Sequence, residues 1–215
     1  MHYQYLNGEN WQNIWIVGDL HGCRRQLDAL LLEKAFDKRN DLLISVGDLI
    51  DRGPDSPGCL ELLDAPWFRC VRGNHEEMAL HALQCHDSLS WIMNGGDWFY
   101  KLRGARLIAA RHALRKLESL PLILHLQLAD RIVVVAHADY PAECYAWEQP
   151  LDWEKVVWNR ERIARLQAGD AGQIAGADAF YFGHTPLQHP LESGNLHYID
   201  TGAVFGNPLT LMQLQ

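Results

Sequence analysis

Short apolar runs alternate with polar, glycine-containing loops through the first third of the chain. The runs Ile14–Val17, Leu42–Val46 and Trp67–Val71 have the length and the residue types of buried strands. Each is followed by a loop and then by apolar residues at helical spacing. Three strand-loop-helix units in succession predict a layered α/β fold, in which functional residues collect at the carboxyl ends of the strands.

The pattern changes in the middle of the chain. The sequence N-G-G-D at 94–97 predicts a turn, and Ala109–Leu120 predicts a helix that ends before Pro121. Further short runs predict strands at Leu122–Leu128, Ile132–Ala136, Ala179–Phe182, His197–Ile199 and Leu209–Gln213. Since no linker or low-complexity tract divides the sequence, we interpret residues 1–215 as a single domain.

Polar residues end most of these apolar runs, and all of them are of metal-ligand types. The set consists of Asp19, His21, Asp48, Asn74, His137 and His184. Such a set can hold two first-row transition-metal ions, and imidazole favours Mn, Fe, Zn or Ni over Mg or Ca. Asp48 is the natural bridging ligand, because Asp19 is spaced to chelate with His21 while Asp48 stands apart from both.

A purely structural interpretation of the same residues is the alternative. Asp19, Asp48 and Asn74 all precede predicted helices, where an aspartate or asparagine is an ordinary helix N-cap. A histidine that follows a strand, such as His137, is likewise more often a packing residue than a ligand. Six donors at corresponding strand ends are hard to explain by capping and packing together, so the joint pattern favours a dimetal site.

Charged residues in the same loops predict the rest of a phosphate-handling site. Arg52 and Arg72 each offer a planar fork of donors that suits phosphate oxygens, although surface salt bridges in an acidic protein would also use them. His75 follows Asn74 by one residue, so we expect it near the metals and assign it as the general acid for the leaving oxygen. Asp51 is predicted to orient His75 and to favour its protonated form.

Composition indicates which partners the protein can bind and in which cellular compartment it works. The 215-residue chain has a formal net charge of -8, which argues against a broad electrostatic footprint for nucleic acid or an anionic membrane. Its five cysteines show no paired spacing, and the sequence contains neither a signal-like N-terminus nor a long apolar run. We therefore expect a cytoplasmic protein that binds neither nucleic acid nor membranes, and the oligomeric state stays open.

Three motifs carry a resemblance to a known family. They are G-D-L-H-G at 18–22, G-D-L-I-D-R-G at 47–53 and G-N-H-E at 73–76. Together they resemble the motifs of the calcineurin-like metallophosphoesterases, which include the Ser/Thr protein phosphatases. The similarity is greatest to the small phosphatases of bacteriophage lambda and enteric bacteria, and it covers almost the whole chain through stretches such as H-A-D-Y-P, W-N-R-E-R-I and Y-I-D-T-G-A-V-F.

The resemblance implies a fold and a set of roles. The family fold is a β-sandwich of two mixed sheets flanked by helices. One metal ion would be bound by Asp19, His21 and Asp48, and the other by Asp48, Asn74, His137 and His184. The family's acid and its partner correspond to His75 and Asp51, and its phosphate ligands correspond to Arg52, Arg72 and Arg160. Manganese is the ion that such bacterial and phage enzymes usually favour.

We accordingly expect a metal-dependent phosphoprotein phosphatase for phosphoserine and phosphothreonine monoesters, with phosphotyrosine as a further candidate. A hydroxide that bridges two divalent ions would attack phosphorus directly, without a phosphoenzyme. Two alternatives stay open: a dinucleoside tetraphosphate hydrolase, whose family shares the early motifs, and a phosphate-dependent binding module without activity. The segments 101–115 and 165–176 leave substrate selection open. Ordinary surface or packed positions are expected for the remaining histidines, which are His2, His81, His86, His112, His125, His189 and His197.

Overall fold

Two β-sheets form the centre of the computed structural model, which describes residues 2–85 and 87–215. The interpretation of His86 therefore lies outside the described residues. The strands are β1 (Tyr3–Asn7), β2 (Ile14–Val17), β3 (Leu42–Ser45), β4 (Phe68–Cys70), β5 (Ile123–Gln127), β6 (Ile132–Ala136), β7 (Ala179–Phe182), β8 (Leu191–Ser193), β9 (Leu196–Tyr198) and β10 (Leu211–Gln213). The six-stranded sheet has the order β1-β5-β6-β7-β9-β8, and the four-stranded sheet has the order β10-β2-β3-β4.

Helices cover the outer faces of both sheets. They are α1 (Arg24–Glu33), α2 (Ser56–Leu60), α3 (Asn74–Cys85), α4 (Leu89–Trp91), α5 (Asp97–Lys101), α6 (Gly104–Lys116), α7 (Trp153–Trp158) and α8 (Glu161–Gln167). The first six lie with the four-stranded sheet, and α7 and α8 pack on the six-stranded sheet. Among the described helices, none combines the length and the apolar character that crossing a membrane requires.

Strands buried on both faces explain the continuous apolar runs in the sequence. In β2, Ile14 and Ile16 lie in the core between the two sheets, whereas Trp15 and Val17 face the helical layer. β6 divides its four last residues in the same way between the inter-sheet core and the layer of α7 and α8. Because both faces need apolar side chains, β2 and β6 contain no polar residue before they end.

The pairing of the strands brings their polar ends to one place. β2, β3 and β4 are parallel neighbours, and β6 is parallel to β7. Asp19, Asp48 and Asn74 therefore leave the four-stranded sheet at one edge, while His137 and His184 leave the six-stranded sheet. The two edges meet, since His137 Nε2 lies 2.9 Å from Asn74 Oδ1.

The predicted α/β architecture of two mixed sheets flanked by helices is confirmed. The five strands predicted after residue 121 are observed, each within two residues of the predicted bounds. β1, β8, α7 and α8 were not predicted. β1 and β8 are edge strands that pair on one side only, and their partly exposed residues lack a continuous apolar run. The helices α7 and α8 are short and bury only two residues each.

The N-G-G-D segment is a turn inside a helical region. A π-helical turn over Ile92–Gly96 joins α4 to α5, and Gly95 takes a φ of 101°. A side chain at Gly95 would place its Cβ 2.6 Å from the backbone nitrogen of Arg52. The turn therefore lets helical backbone lie directly against the loop that follows β3.

Candidate active site

The carboxylate of Asp48 lies at the centre of the site. Its Oδ2 is 3.4 Å from His137 Nε2, 3.5 Å from His21 Nε2 and 4.0 Å from His75 Nε2. Two buried groups of three donors are each close enough together to hold a metal ion, namely His21 with Asp48 and His75, and Asp48 with His137 and His184. Asp48, the residue predicted to bridge two ions, is the one that both groups share.

The remaining predicted ligands lie around these two groups. Asn74 Oδ1 is 2.9 Å from His137 Nε2 and 3.0 Å from His184 Nδ1. Asp19 is buried and accepts the backbone N–H of His184 at 3.2 Å and 3.0 Å through its two oxygens. The fold thus brings together all six side chains that end the apolar runs, with Asp19 outside the two three-donor groups.

Backbone carbonyls fix the orientation of two imidazoles. His21 Nδ1 lies 2.8 Å from the carbonyl oxygen of Ile50, and His137 Nδ1 lies 2.8 Å from that of Val46. A carbonyl oxygen can only accept, so each Nδ1 carries a proton, and in the neutral form of either ring the lone pair lies on Nε2, the nitrogen nearest Asp48. This tautomer is the one that an Nε2 metal ligand requires.

Burial and neighbouring charges set the protonation states. Burial lowers the pKa of His21 to about 4 and that of His184 to about 3, so both rings are neutral at pH 7 and available as ligands. Burial alone would raise the pKa of Asp48. The imidazoles of His137 and His75 outweigh this effect and hold the pKa of Asp48 well below its usual range. Asp48 in turn raises the pKa of His137 against the effect of burial.

Further buried acidic side chains surround the site. Burial, with the charges of Asp200 and Asp48, raises the pKa of Asp19 well above its usual range. Burial and Asp48 raise the pKa of Glu76 to about 7, and burial also raises that of Asp200. Buried charges in proteins are paired or coordinate metals. The excess of carboxylates among imidazole nitrogens and an amide oxygen therefore fits divalent transition-metal cations.

His75 is held by a buried carboxylate and two indoles. Its Nδ1 lies 2.7 Å from Asp51 Oδ2. Asp51 also accepts Trp91 Nε1–H at 2.9 Å and Trp98 Nε1–H at 2.7 Å. The opposite ring nitrogen, His75 Nε2, is buried and has no hydrogen-bond partner among the described residues. One nitrogen is thus fixed while the other faces the Asp48 cluster, which is the arrangement that a proton donor to a bound group needs.

Two predicted phosphate ligands contact the outer histidines. Arg52 Nη1 lies 2.7 Å from His21 Nε2, and Arg160 Nε donates to His184 Nε2 at 3.1 Å. Both arginines are exposed, unlike the histidines that they contact. The two guanidinium groups therefore stand at the solvent side of the two donor groups, where an anion would approach.

A second buried carboxylate fixes the loop that carries Arg160. Asp139 accepts Asn159 Nδ2–H at 2.8 Å and Arg162 Nε–H at 2.8 Å. These two donors flank Arg160 in sequence, so their attachment to one carboxylate fixes the backbone on both sides of it. Burial acts against the charge of Arg162, yet Asp139 raises the pKa of Arg162, so the guanidinium stays charged.

Arg72 makes different contacts from Arg52 and Arg160. Its Nη1 donates to Glu77 Oε1 at 3.0 Å, and its Nη2 donates to the carbonyl of Leu120 at 3.1 Å. No contact joins its guanidinium to the other predicted site residues within 2–85 and 87–215. The salt-bridge interpretation of Arg72 therefore describes its present contacts, and its phosphate-binding role stays a prediction.

Glu76 ties two of the active-site loops together. Its carboxylate accepts the backbone N–H groups of Asp48, Leu49 and Gly73, each at 2.9 Å. Asp48 adds a further link, because its Oδ1 accepts the backbone N–H of His75 at 3.0 Å. The loops after β3 and β4 are thereby held at a fixed separation.

The structure does not support the interpretation of Asp19 and Asp48 as helix N-caps. The N-cap positions of α1 and α2 are Cys23 and Asp55 rather than Asp19 and Asp48. Site residues also adopt left-handed backbone, with φ of 50° at Asp48, 66° at Arg52 and 69° at His184. Such conformations are costly for residues other than glycine and persist where function demands them.

Several residues that organise the site were not assigned from sequence. These are Glu76, Trp91, Trp98, Asp139, Asn159 and Arg162. Trp91 and Trp98 are separated from Asp51 by 40 and 47 residues, and no spacing rule connects them. The available signal for Glu76 was its place in G-N-H-E beside two predicted site residues. Asn159 and Arg162 lie on either side of Arg160 in the W-N-R-E-R-I stretch.

Comparison with known proteins agrees with this site. The chain matches the calcineurin-like phosphoesterase family over residues 12–188. It therefore belongs to that family, which confirms the family and the enzyme class indicated by the motifs, and it is a phosphoesterase.

Individual relatives extend over nearly the whole chain. It is 49% identical over 213 residues to serine/threonine-protein phosphatase 1 of Salmonella typhimurium, covering 99% of this chain and 97% of that protein. It is 38% identical to serine/threonine-protein phosphatase 2 of Escherichia coli, covering 99% and 98%. A solved structure provisionally described as a diadenosine tetraphosphatase superposes with a TM-score of 0.72 and 25% identity, over 99% of this chain and 93% of the other.

Proposed function

We propose that the chain is a protein phosphatase that hydrolyses phosphoserine and phosphothreonine monoesters with the help of two divalent cations. The observation that carries this proposal is the buried cluster in which His21 and His137 face Asp48 from two sides while Arg52 and Arg160 stand at its rim. The identity of 49% to a relative named as a Ser/Thr-protein phosphatase supports a phosphoprotein or phosphopeptide substrate. Phosphotyrosine is a further candidate substrate.

The donors of both sheets would share the two cations. One ion is assigned to Asp19, His21 and Asp48, and the other to Asp48, Asn74, His137 and His184. Since both sheets contribute ligands, we propose that residues 1–215 act as one catalytic domain. The imidazole content favours Mn, Fe, Zn or Ni, and we propose Mn²⁺ first because of the family resemblance of the motifs.

The residues of the chain divide the work of phosphate hydrolysis. When bound, two divalent cations neutralise phosphate charge and make water nucleophilic at neutral pH. Arg52 and Arg160 would grip the phosphoryl oxygens with their planar donor forks and hold phosphorus in line for direct attack. For Arg72 to join them, its guanidinium would have to leave Glu77.

His75 is assigned as the general acid. Asp51 holds its Nδ1, so the proton for the leaving serine or threonine oxygen would come from Nε2, which is free of other partners among the described residues. Direct attack forms no phosphorylated side chain. Acid quenching during turnover of a ³²P-labelled phosphopeptide should therefore leave no label on the protein, and a stoichiometric labelled residue would contradict this mechanism.

A metal-by-substrate activity matrix tests the function. The purified chain is treated with chelator and then assayed with Mn²⁺, Fe²⁺, Zn²⁺, Ni²⁺ or Mg²⁺ on a phosphoserine peptide, p-nitrophenyl phosphate and diadenosine tetraphosphate. We expect Mn²⁺-restored phosphate release from the peptide to exceed cleavage of the dinucleotide. The reverse preference would favour the second candidate, a dinucleoside tetraphosphate hydrolase. The solved structure with a TM-score of 0.72 supports this second candidate. Tight phosphopeptide binding without hydrolysis under any metal would favour the binding module.

We also propose that the protein works in the cytoplasm on protein substrates. Its five cysteines, Cys23, Cys59, Cys70, Cys85 and Cys144, are all free, and three of them are buried, which suits a reducing compartment. The formal net charge of -8 supports the expectation that neither nucleic acid nor an anionic membrane is a partner.

A further inference from the structure

A groove beside the active site lies between α2 and α6 and encloses about 510 Å³. One wall consists of the loop after Arg52 and of α2, and the other consists of α5 and α6. The side chains that define it best are Pro54, Pro57, Leu60, Trp98, Leu102 and Arg106. We call this feature the α6 groove.

The α6 groove adjoins the proposed catalytic residues through Trp98. Trp98 lines it, and the Nε1–H of the same indole donates to Asp51 at 2.7 Å. On the other wall, Pro54 follows Arg52 by only two positions. A polypeptide that leaves the phosphate site across Trp98 would therefore enter the groove a few residues from the phosphorylated one, since an extended chain advances about 3.3 Å for each residue.

Small side chains create the space in the groove. Ala109, Ala110 and Ala113 form its floor on α6, where larger residues would fill the gap to α2. The opposite side offers Pro57 and Leu60. An apolar side chain of two to four carbons would therefore find apolar neighbours on both walls, which favours its removal from water.

The α6 wall is also strongly basic in an acidic protein. Six of the 19 Lys and Arg residues lie between positions 101 and 116, and no Asp or Glu occurs in that interval. Arg106 is the basic residue of this segment that lines the groove. It is exposed and forms no ion pair or hydrogen bond in the described part of the chain. On the opposite wall Asp55 is engaged in capping α2 through Gly58 N–H at 2.9 Å, and Glu61 is exposed.

We propose that the α6 groove binds the substrate segment that flanks the phosphorylated residue, and that it selects an apolar side chain together with an acidic one. The apolar side chain would lie over Ala109 and Ala113, and the acidic one would pair with Arg106. This inference rests on the proposed phosphoprotein phosphatase function. It assigns substrate selection to part of the segment 101–115, which the motifs left open.

Synthetic phosphoserine peptides provide the probe. One series carries leucine and glutamate at positions two to five residues from the phosphoserine, on either side, and a matched series carries glycine and lysine there. The wild-type chain with Mn²⁺ should prefer one leucine–glutamate register by about tenfold in kcat/KM, the size of discrimination that a single pocket supplies. p-Nitrophenyl phosphate, which is too small to reach the groove, reports on the catalytic residues alone.

Two substitutions and one control locate the preference. Arg106→Glu should abolish the preference for the leucine–glutamate series, and Ala109→Phe should reduce kcat/KM for that series about tenfold by filling the groove. Arg115→Glu makes the same charge change on the same helix but lies outside the groove lining, so it should leave the preference intact. All three variants should hydrolyse p-nitrophenyl phosphate at the wild-type rate.

The possible failures are distinguishable. If the wild-type chain hydrolyses p-nitrophenyl phosphate but neither peptide series, the proposed protein phosphatase function is wrong. If it hydrolyses both series equally, or if Arg106→Glu and Arg115→Glu lower peptide hydrolysis alike, the function stands and the groove assignment is wrong. Loss of diadenosine tetraphosphate cleavage in Arg106→Glu, with unchanged peptide kinetics, would also overturn the assignment.

Discussion

The two halves of the active site are built alike but differ in the partner of their buried aspartate. In the half beside the four-stranded sheet, Asp51 holds the imidazole of His75 at 2.7 Å. In the half beside the six-stranded sheet, Asp139 holds the guanidinium of Arg162 at 2.8 Å. An imidazole changes charge near neutral pH, whereas a guanidinium stays charged. The first half is thus suited to moving a proton, and the second to holding a fixed charge in place.

The surroundings of the two aspartates follow the same division. Asp51 is satisfied by two indole N–H groups, which donate hydrogen bonds without adding charge. Burial raises the pKa of Asp51, while its hydrogen bond to His75 works in the opposite direction. Asp139 instead pairs with Arg162 and with the amide of Asn159, on either side of Arg160. Arg160, a proposed phosphate ligand, therefore lies between two residues that are both held by Asp139.

Asp48 belongs to both halves, so its replacement should have the largest effect. Asp48→Asn removes the carboxylate that three imidazoles face, and we expect phosphatase activity to fall by about 10⁴-fold or more, as for the loss of several kcal/mol of transition-state stabilisation. Metal content measured by mass spectrometry should fall below two ions per chain. Asp28→Asn, on the exposed side of α1, serves as the control. Near-normal hydrolysis by Asp48→Asn would contradict the shared-carboxylate arrangement.

The proton-handling half is tested by His75→Asn. Loss of a general acid should lower kcat for a phosphoserine peptide by about 10²–10⁴-fold. The loss should be smaller, but still clear, for p-nitrophenyl phosphate, because nitrophenolate needs less help to leave. The measurement is the ratio of the two losses. Equal losses on both substrates would point to a binding role, and intact aryl phosphate hydrolysis would exclude the assignment of His75.

Replacing each aspartate in turn separates the two halves. Asp51→Asn and Asp139→Asn should each lower kcat/KM by about 10 to 100-fold, as is usual for residues that orient a functional side chain through a hydrogen bond. For Asp51→Asn the loss should lie mainly in kcat and should alter the pH profile. For Asp139→Asn it should lie mainly in KM, with an unchanged pH profile, because Arg160 loses its position but keeps its charge. Identical kinetic signatures would remove the distinction between the halves.

Sequence reasoning reached the donors of the site but not the network behind them. Asp19, Asp48 and His137 could be predicted because each ends a buried strand, and strand pairing then decides that they meet. The partners of Asp51 could not, because Trp91 and Trp98 reach it only through the π-helical turn and its Gly95. Arg72 shows most clearly what the sequence does not predict. Its position in the motif does not reveal that its guanidinium forms a salt bridge with Glu77.

The smallest expected effect concerns Glu76, which lies in the proton-handling half and affects stability. Its pKa is raised from 4.5 to about 7, so between these pH values the folded, metal-free protein keeps a proton that the unfolded chain has released. The stability that this group contributes is complete below pH 4.5 and is lost as the pH rises through 7. From pH 5.5 to pH 8 the metal-free wild type should therefore lose about 2 kcal/mol more than Glu76→Gln.

Urea unfolding of both proteins in the presence of chelator measures this difference. Titrating groups whose pKa does not depend on Glu76, such as His21 and His184, act in both proteins and cancel in the comparison. The pH-dependent difference is also independent of the constant cost of replacing a carboxylate that accepts three backbone N–H groups. Adding Mn²⁺ should reduce the loss in the wild type, because a nearby cation favours the ionised carboxylate. Parallel pH profiles for the two metal-free proteins would show that Glu76 is already ionised at pH 5.5, and the negative charge of the site would then be compensated without a metal.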